Sequence, residues 1–193
     1  NFLALIRADK VAVPVNAGLS DLGLQDILNQ FEDPLMLTDI HTIFQKAAVP
    51  YNSDEYASPN DLAFIGFTSG TAGQPKGYRR THQSWVKSFE GTNALIRQSS
   101  NQSATVFGSM YYSLSLYTLM QTLYFGQTFI LNQHFSTKRL IDLVKQTESL
   151  TCYLVPTMIH ALISKLEAQN EVLKENYSIV SSGAKLNVEI RRK

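Results

Sequence analysis

Ten consecutive residues, Thr68-Ser69-Gly70-Thr71-Ala72-Gly73-Gln74-Pro75-Lys76-Gly77, concentrate three hydroxyls, three glycines, one lysine and one proline. Glycines let backbone amides approach a ligand closely and in dihedrals that other residues avoid. Amides, hydroxyls and a lysine together are what a polyphosphate requires: hydrogen-bond donors on several sides and one full positive charge. Pro75 stiffens the turn. The order is not that of a Walker loop, which needs Gly-Lys-Ser/Thr, because here Pro75 precedes Lys76 and Gly77 follows it. A short Gly-rich run alone reads as a flexible surface loop with a solvated lysine. This run is longer, every residue type in it suits an anion, and it leaves the apolar segment Leu62-Ala63-Phe64-Ile65-Gly66-Phe67 directly.

The other chemically capable side chains are dispersed. His41, His82, His134 and His160 have no metal-ligand spacing and read as capping or packing residues. Cys152, the single cysteine, lies in an apolar stretch. It can form no internal disulfide, and a buried structural thiol that fits a reducing cytosol is the expectation. Asp61 reads as a solvated turn residue, and Trp85 and Phe89, at helical spacing, as core. Tyr117 and Tyr124 fit either an acyl-chain pocket or a helix face laid on a sheet.

The elements that must position the loop follow from apolar periodicity. A helix is expected at residues 1–7, a short strand over Val11–Val15, and a helix capped by Ser20 that carries Leu22, Leu24, Ile27, Leu28 and Phe31. Leu35-Met36-Leu37-Thr38 reads as a strand, and residues 48–60, rich in Pro and Asn, as a loop. Leu62–Thr68 is a buried strand, after which Thr81 starts a helix. Strands over 105–107, 128–131, 152–155 and 177–180 then alternate with helices opened by Ser113, Ser136 and Pro156. Gly126 stops the first of these, and Asn187 caps a last helix. Strand–helix alternation argues an α/β fold with a largely parallel sheet and flanking helices, whose ligands sit beyond the carboxyl ends of the strands. Thr68, Phe107, Pro156 and Ser181 mark such ends.

The 193 residues are 44% hydrophobic and only 17% charged, with net charge +1. No basic block stands out, so nucleic acid is not an expected partner. No apolar run is long enough to span a membrane, which leaves peripheral contact open. The low charge fits a piece whose apolar surface belongs against other parts. The first residues read as the inside of a helix without a signal-peptide layout, and the last, Arg191-Arg192-Lys193, as an interrupted one.

Phe67-Thr68-Ser69-Gly70-Thr71-Ala72-Gly73-Gln74-Pro75-Lys76-Gly77 closely resembles the signature of the adenylate-forming superfamily, which holds acyl-CoA synthetases, adenylation domains of peptide synthetases and luciferases. Ala72 stands where a Thr is common, and the lost hydroxyl removes one phosphate contact without touching the backbone cradle. Further segments resemble the family in order. These are Phe2–Asp9 with Val13-Pro14-Val15, where Asp9 replaces a usual Gly; Leu123–Leu131, a helix-Gly-strand step; Val155-Pro156-Thr157-Met158; and Ser182-Gly183-Ala184-Lys185-Leu186. The texture is most similar to bacterial acyl-CoA synthetases.

The resemblance implies that residues 1–193 are part of a layered N-terminal AMP-binding domain. It implies ATP-dependent activation of a carboxylic acid, with a fatty acid favoured, as an acyl-adenylate in a cytoplasmic enzyme that uses Mg and then transfers the acyl group to CoA. By the same resemblance Thr68, Ser69, Gly70, Thr71, Gly73 and Lys76 hold the β and γ phosphates, and Gly183 and Ala184 line the nucleotide and acyl pocket. Tyr112 falls where many members carry a substrate-contacting His, and its other reading is one more aromatic in Tyr111-Tyr112. The family's Tyr-Gly-x-Thr-Glu segment, its ribose-binding Asp and the Lys of its small C-terminal domain do not occur in these residues. The chain alone is therefore expected not to turn over. An amino-acid adenylation domain, a truncated non-catalytic nucleotide-binding protein and a module gripping another phosphate, such as that of CoA, are the competing readings.

Overall fold

The computed structural model describes residues 2–37, 57–68, 75–96 and 101–190. The chain forms two units, residues 1–88 and 89–193.

In the first unit, α1 (Phe2–Arg7) ends at Asp9, whose φ is +52°. The strand expected over 11–15 reduces to one parallel bridge, Ala12 to Phe64. There Ala12 N donates to Ala63 O at 3.3 Å and Ile65 N donates to Ala12 O at 2.9 Å. Pro14 has no N–H to extend the ladder. Helix α2 (Asp21–Leu28) is capped as expected: Ser20 Oγ accepts from Gly23 N at 3.2 Å. It stops one turn earlier than the apolar pattern suggested, before Phe31. Leu35–Leu37 form no strand, because among the described residues nothing pairs with their backbone, and Leu35 and Met36 are exposed. Thr38, and most of the expected loop over 48–60, lie outside the described residues.

β1 (Leu62–Thr68) forms as read. Its partner β2 (Lys76–Thr81) was not expected, and the pair is antiparallel. It is the one antiparallel pair among the described strands. Lys76-Gly77-Tyr78-Arg79-Arg80-Thr81 has one large apolar side chain and no apolar alternation, so its strand state comes from pairing with β1 rather than from its own pattern. Thr81 then caps α3 (His82–Ile96), its Oγ1 accepting from Ser84 N at 3.1 Å. Phe64 and Trp85 are buried, with ring centroids 4.7 Å apart, and Phe2 packs at 6.2 Å from Phe64.

The second unit is the parallel α/β structure that the periodicity predicts. Its elements are β3 (Ser103–Phe107), α4 (Ser113–Tyr124), β4 (Thr128–Asn132), α5 (Thr137–Gln146), β5 (Leu150–Leu154), α6 (Pro156–Gln169) and β6 (Tyr177–Ser181). The four strands run in the order β4-β3-β5-β6, all parallel. Alternate residues of each strand serve opposite faces. Phe107, Leu150, Cys152 and Leu154 join Leu140, Leu143 and Val144 of α5 and Ile159 and Leu162 of α6 in one buried cluster. Ala104, Val106 and Tyr153 meet Leu114 and Tyr117 of α4 on the other face. Tyr117 therefore takes its sheet-packing reading, with its hydroxyl 2.7 Å from Thr92 Oγ1, whereas Tyr124 is half exposed beside Phe89.

Local chemistry sets most boundaries. Ser136 Oγ accepts from Arg139 N at 3.3 Å, and Pro156 opens α6 behind Val155. Gly126, at φ +66°, closes α4 as Gly126 N bonds Leu123 O and Gln127 N bonds Thr122 O. One expectation needs correction. Tyr112, not Ser113, occupies the N-cap of α4, and its side chain makes no capping bond. Asn187 Oδ1 accepts from Glu189 N at 3.1 Å, and the described residues after it turn into a 3-10 segment at Ile190, with 191–193 outside the described residues.

Candidate functional site

The Gly-rich segment connects the paired strands β1 and β2. Thr68 and Lys76 are cross-strand partners, and Thr68 Oγ1 donates to Lys76 O at 3.4 Å. Both residues are exposed, so a hydroxyl and an ammonium stand where the segment leaves and rejoins the strands. Ser69, Gly70, Thr71 and Gly73, the remaining expected phosphate ligands, lie outside the described residues. Within the paired strands two glycine–aromatic pairs face each other in succession: Gly66 opposite Tyr78, and Phe67 opposite Gly77. Arg80 is held by its own helix junction, its Nη2 donating to Ser84 O at 3.1 Å and to Ser88 Oγ at 2.7 Å. Pro75 borders a cleft of about 260 Å³ shared with Asp26, Asn29 and Gln30.

In the second unit the expected pocket residues gather at one edge of the sheet, where all four strands end. The chain leaves β3 for α4 on one face and leaves β5 for α6 on the other. The two connections therefore diverge between β3 and β5, the position where open parallel sheets form a ligand crevice. Tyr112 stands on the β3 side of this point. It is 54% exposed, although an N-cap position normally holds a small polar residue. Gly108, directly after β3, has φ +136°, and a Cβ there would meet Tyr112 Cδ2 at 3.5 Å. Gly183, after β6, has φ +89°, and a Cβ would meet Val155 Cγ1 at 3.4 Å. Ser182 N donates to Leu154 O at 3.0 Å, which ties this glycine turn to the end of β5. Ala184 follows it and is exposed. Tyr112, Gly183 and Ala184 thus share one sheet edge.

Sequence reasoning passed over three features. Tyr111 packs its ring on Tyr112, with centroids 4.1 Å apart. A groove of about 360 Å³ runs along the start of α6, lined by Pro156, Thr157, His160, Lys185, Asn187 and Ile190. Its lining residues Pro156, Thr157, His160, Lys185 and Asn187 were each singled out in the sequence, but not as one groove. At the end of β4, Asn132 Nδ2 donates to Thr105 Oγ1 at 2.8 Å, and Asn132 Oδ1 accepts from Arg139 Nε at 3.3 Å.

Electrostatics separate inert from accessible groups. Burial pushes the Cys152 thiol up from 9.0 to about 12, so it stays protonated and is no nucleophile. Tyr177 is raised first by burial and then by Cys152. Among the described residues no group of three His, Cys, Asp or Glu could hold a metal, and no helix is long and apolar enough to cross a membrane.

The chain is similar to a Staphylococcus haemolyticus protein, VraA, named for long chain fatty acid-CoA ligation, at 40% identity over 97% of this chain and 40% of the relative. It is also similar to YhfT of Bacillus subtilis, named as an acyl-CoA ligase, at 31% identity over 86% of this chain and 34% of the relative. The chain thus spans about two fifths of the length of the first of these. In fold it matches o-succinylbenzoate CoA synthetase (MenE) of Bacillus subtilis, bound with a product analogue, at TM-score 0.81 and 19% identity, covering 100% of this chain and 42% of that one. It also matches ATP-bound MatB of Rhodopseudomonas palustris at TM-score 0.77 and 20% identity, covering 99% and 43%. The family model for AMP-binding enzymes matches residues 1–193. On that match, which runs through the Thr68–Lys76 hairpin and the edge bearing Tyr112 and Gly183, this chain belongs to the AMP-binding enzyme family.

Proposed function

We propose that the full-length protein activates a carboxylic acid with ATP and passes the acyl group to CoA. A carboxylate is a poor electrophile until one of its oxygens becomes part of a good leaving group. Its oxygen attacks the α-phosphorus, the bond to the β-phosphate bridging oxygen breaks, and pyrophosphate leaves. The thiolate of CoA then attacks the acyl carbon and AMP leaves. The enzyme's contribution to the first step is to hold the phosphates in line and to offset their charge. The observation that carries the reading is the pairing of Thr68 with Lys76, which holds the two ends of the Gly-rich segment opposite each other. In this reading Thr68, Ser69, Gly70, Thr71, Gly73 and Lys76 take the β and γ phosphates by position and charge. Gly183 and Ala184 line the nucleotide and acyl pocket, and Tyr112 faces the acid.

The hydroxyls, ammonium and glycine amides of the segment fit a polyphosphate. A magnesium ion bound with the nucleotide would supply further charge neutralisation, and among the described residues no group of three His, Cys, Asp or Glu could hold one. A fatty acid is the favoured substrate, in keeping with the name of the Staphylococcus haemolyticus relative. The 193 residues by themselves do not turn over in this reading, because the Tyr-Gly-x-Thr-Glu segment and the C-terminal Lys that complete catalysis in the family are not among them.

The test is carboxylate-dependent ATP–pyrophosphate exchange by the full-length protein, across fatty, aromatic and amino acids. Exchange with fatty acids, followed by CoA thioester formation, is the expected result. Exchange with amino acids alone would move the assignment to an amino-acid adenylation domain. A folded protein that binds ATP and exchanges with no acid would overturn the enzymatic reading.

A further inference from the structure

Tyr112 is a poor residue for the position it holds. Its backbone, at φ −73° and ψ 135°, is that of an N-cap, yet its phenol cannot reach the first-turn amides as a serine or aspartate would. More than half of it stands in solvent. Helix stability therefore does not account for it, but its ring has two near neighbours. On one side lies Gly108, which has no side chain and leaves room for the ring: an added Cβ would stand at ordinary contact distance, 3.5 Å from Cδ2 and 3.9 Å from Cε2. On the other lies Tyr111, its ring centroid 4.1 Å away and tilted by 41°.

Adjacent side chains in an extended strand point to opposite faces and cannot stack. These two can because the chain turns after β3, and Tyr112 N donates to Ser109 O at 3.1 Å to close that turn. We infer that Tyr111 is a positioning residue for the acid-binding site: its ring fixes the rotamer of Tyr112, so that the phenol presents a preformed wall where the β3 and β5 connections diverge. The inference rests on the proposed reading that Tyr112 faces the acid. The Tyr111 phenol is also raised above its usual 10.0, first by its side-chain interaction with Tyr112. A ring already in place loses less freedom when substrate arrives than one that must be ordered on binding.

The experiment uses full-length protein and the acid identified by pyrophosphate exchange. The variants are Tyr111→Ala, Tyr111→Leu, Tyr111→Phe, Tyr112→Ala and the double variant Tyr111→Ala/Tyr112→Ala, with KM measured separately for acid and for ATP. Tyr111→Ala and Tyr111→Leu are expected to raise the acid KM about five- to tenfold, the loss of one side-chain-ordering contribution, and to leave the ATP KM unchanged. Tyr111→Phe, which keeps the ring, restores the acid KM to within about twofold. The double variant is no worse than Tyr112→Ala, because residues that act through one another are not additive. Tyr111→Leu keeps most of the volume and reports on the ring face if the alanine variant does not fold. If Tyr112→Ala leaves the acid KM unchanged, the placement of Tyr112 at the acid is wrong. If Tyr112→Ala raises it while both Tyr111 replacements do not, or if the effects add, Tyr112 stands and the role of Tyr111 is overturned.

Discussion

The ring of Tyr78 lies across the backbone of Gly66: the two are cross-strand partners, and a Cβ on Gly66 would fall 2.4 Å from both Cζ and Oη of the tyrosine. The next pair reverses the arrangement, with a Cβ on Gly77 falling 3.3 Å from Cε1 of Phe67. An aromatic ring laid over a cross-strand glycine covers the backbone that the glycine leaves bare and pins the register. Register matters here because a slip by one residue would move Lys76 away from Thr68. Gly66→Ala is therefore expected to destabilise the protein by about 1–3 kcal/mol, the usual cost of forcing extra volume into a filled space. Its nucleotide affinity should fall with it. Chemical denaturation and ATP titration of the full-length variant check both, and an unchanged midpoint would show that Tyr78 swings aside freely.

Lys76 carries the one full positive charge within the Gly-rich segment. Lys76→Ala should lower pyrophosphate exchange about 100-fold, the scale observed when one preorganised charge-stabilising group is removed. Lys76→Arg should recover part of this, and raised salt should not mimic it. The measurement is exchange rate against ATP concentration. A loss confined to the acid KM would place Lys76 elsewhere than on the phosphates.

Cys152 offers a pH test. Its folded pKa is raised from 9.0 to about 12 by burial. Below about 9 the thiol is protonated both folded and unfolded, and stability is at its full value. As pH rises from 9 towards 12 the unfolded chain releases the proton while the folded chain keeps it, so stability falls. Tyr177 is raised as well and acts in the same direction. The unfolding midpoint should drop over this window, and less so in Cys152→Val. At pH 8 the native thiol should not react with a disulfide reagent until denaturant is added.

A buried hydrogen bond joins α4 to β5: Tyr153 Oη donates to Gln121 Oε1 at 2.5 Å, and both residues are about 1% exposed. Among the described residues Gln121 Nε2 has no hydrogen-bond partner. Tyr153→Phe leaves the amide oxygen without this donor in the interior, which costs about 1–3 kcal/mol. Replacing both, Tyr153→Phe with Gln121→Leu, should recover much of that loss. A double-mutant cycle by urea unfolding reads the coupling, and strict additivity would mean that the bond contributes nothing.

The sequence alone determined the features that depend on neighbouring residues. The anion-suited composition of 68–77 was legible because amides, hydroxyls and a lysine are recognisable by type, without coordinates. Ser20, Ser136, Gly126 and Pro156 marked helix ends because a cap is chemistry within four residues. The parallel sheet of the second unit was legible from apolar runs alternating with helical spacing. The tertiary structure decided what depends on distant partners. β2 has no apolar alternation and exists as a strand only because β1 supplies its hydrogen bonds and covers its glycine. Leu35–Leu37 have the apolar run but no described strand to pair with, so they form none. Ser113 looked like a cap, but the turn closed by Ser109 and the room beneath the ring at Gly108 put Tyr112 there instead. Whether Tyr111 and Tyr112 point apart or stack depends on that same turn. Sequence records residue type and local spacing, whereas the pairing of remote backbones and the facing of side chains are settled only when the whole unit packs.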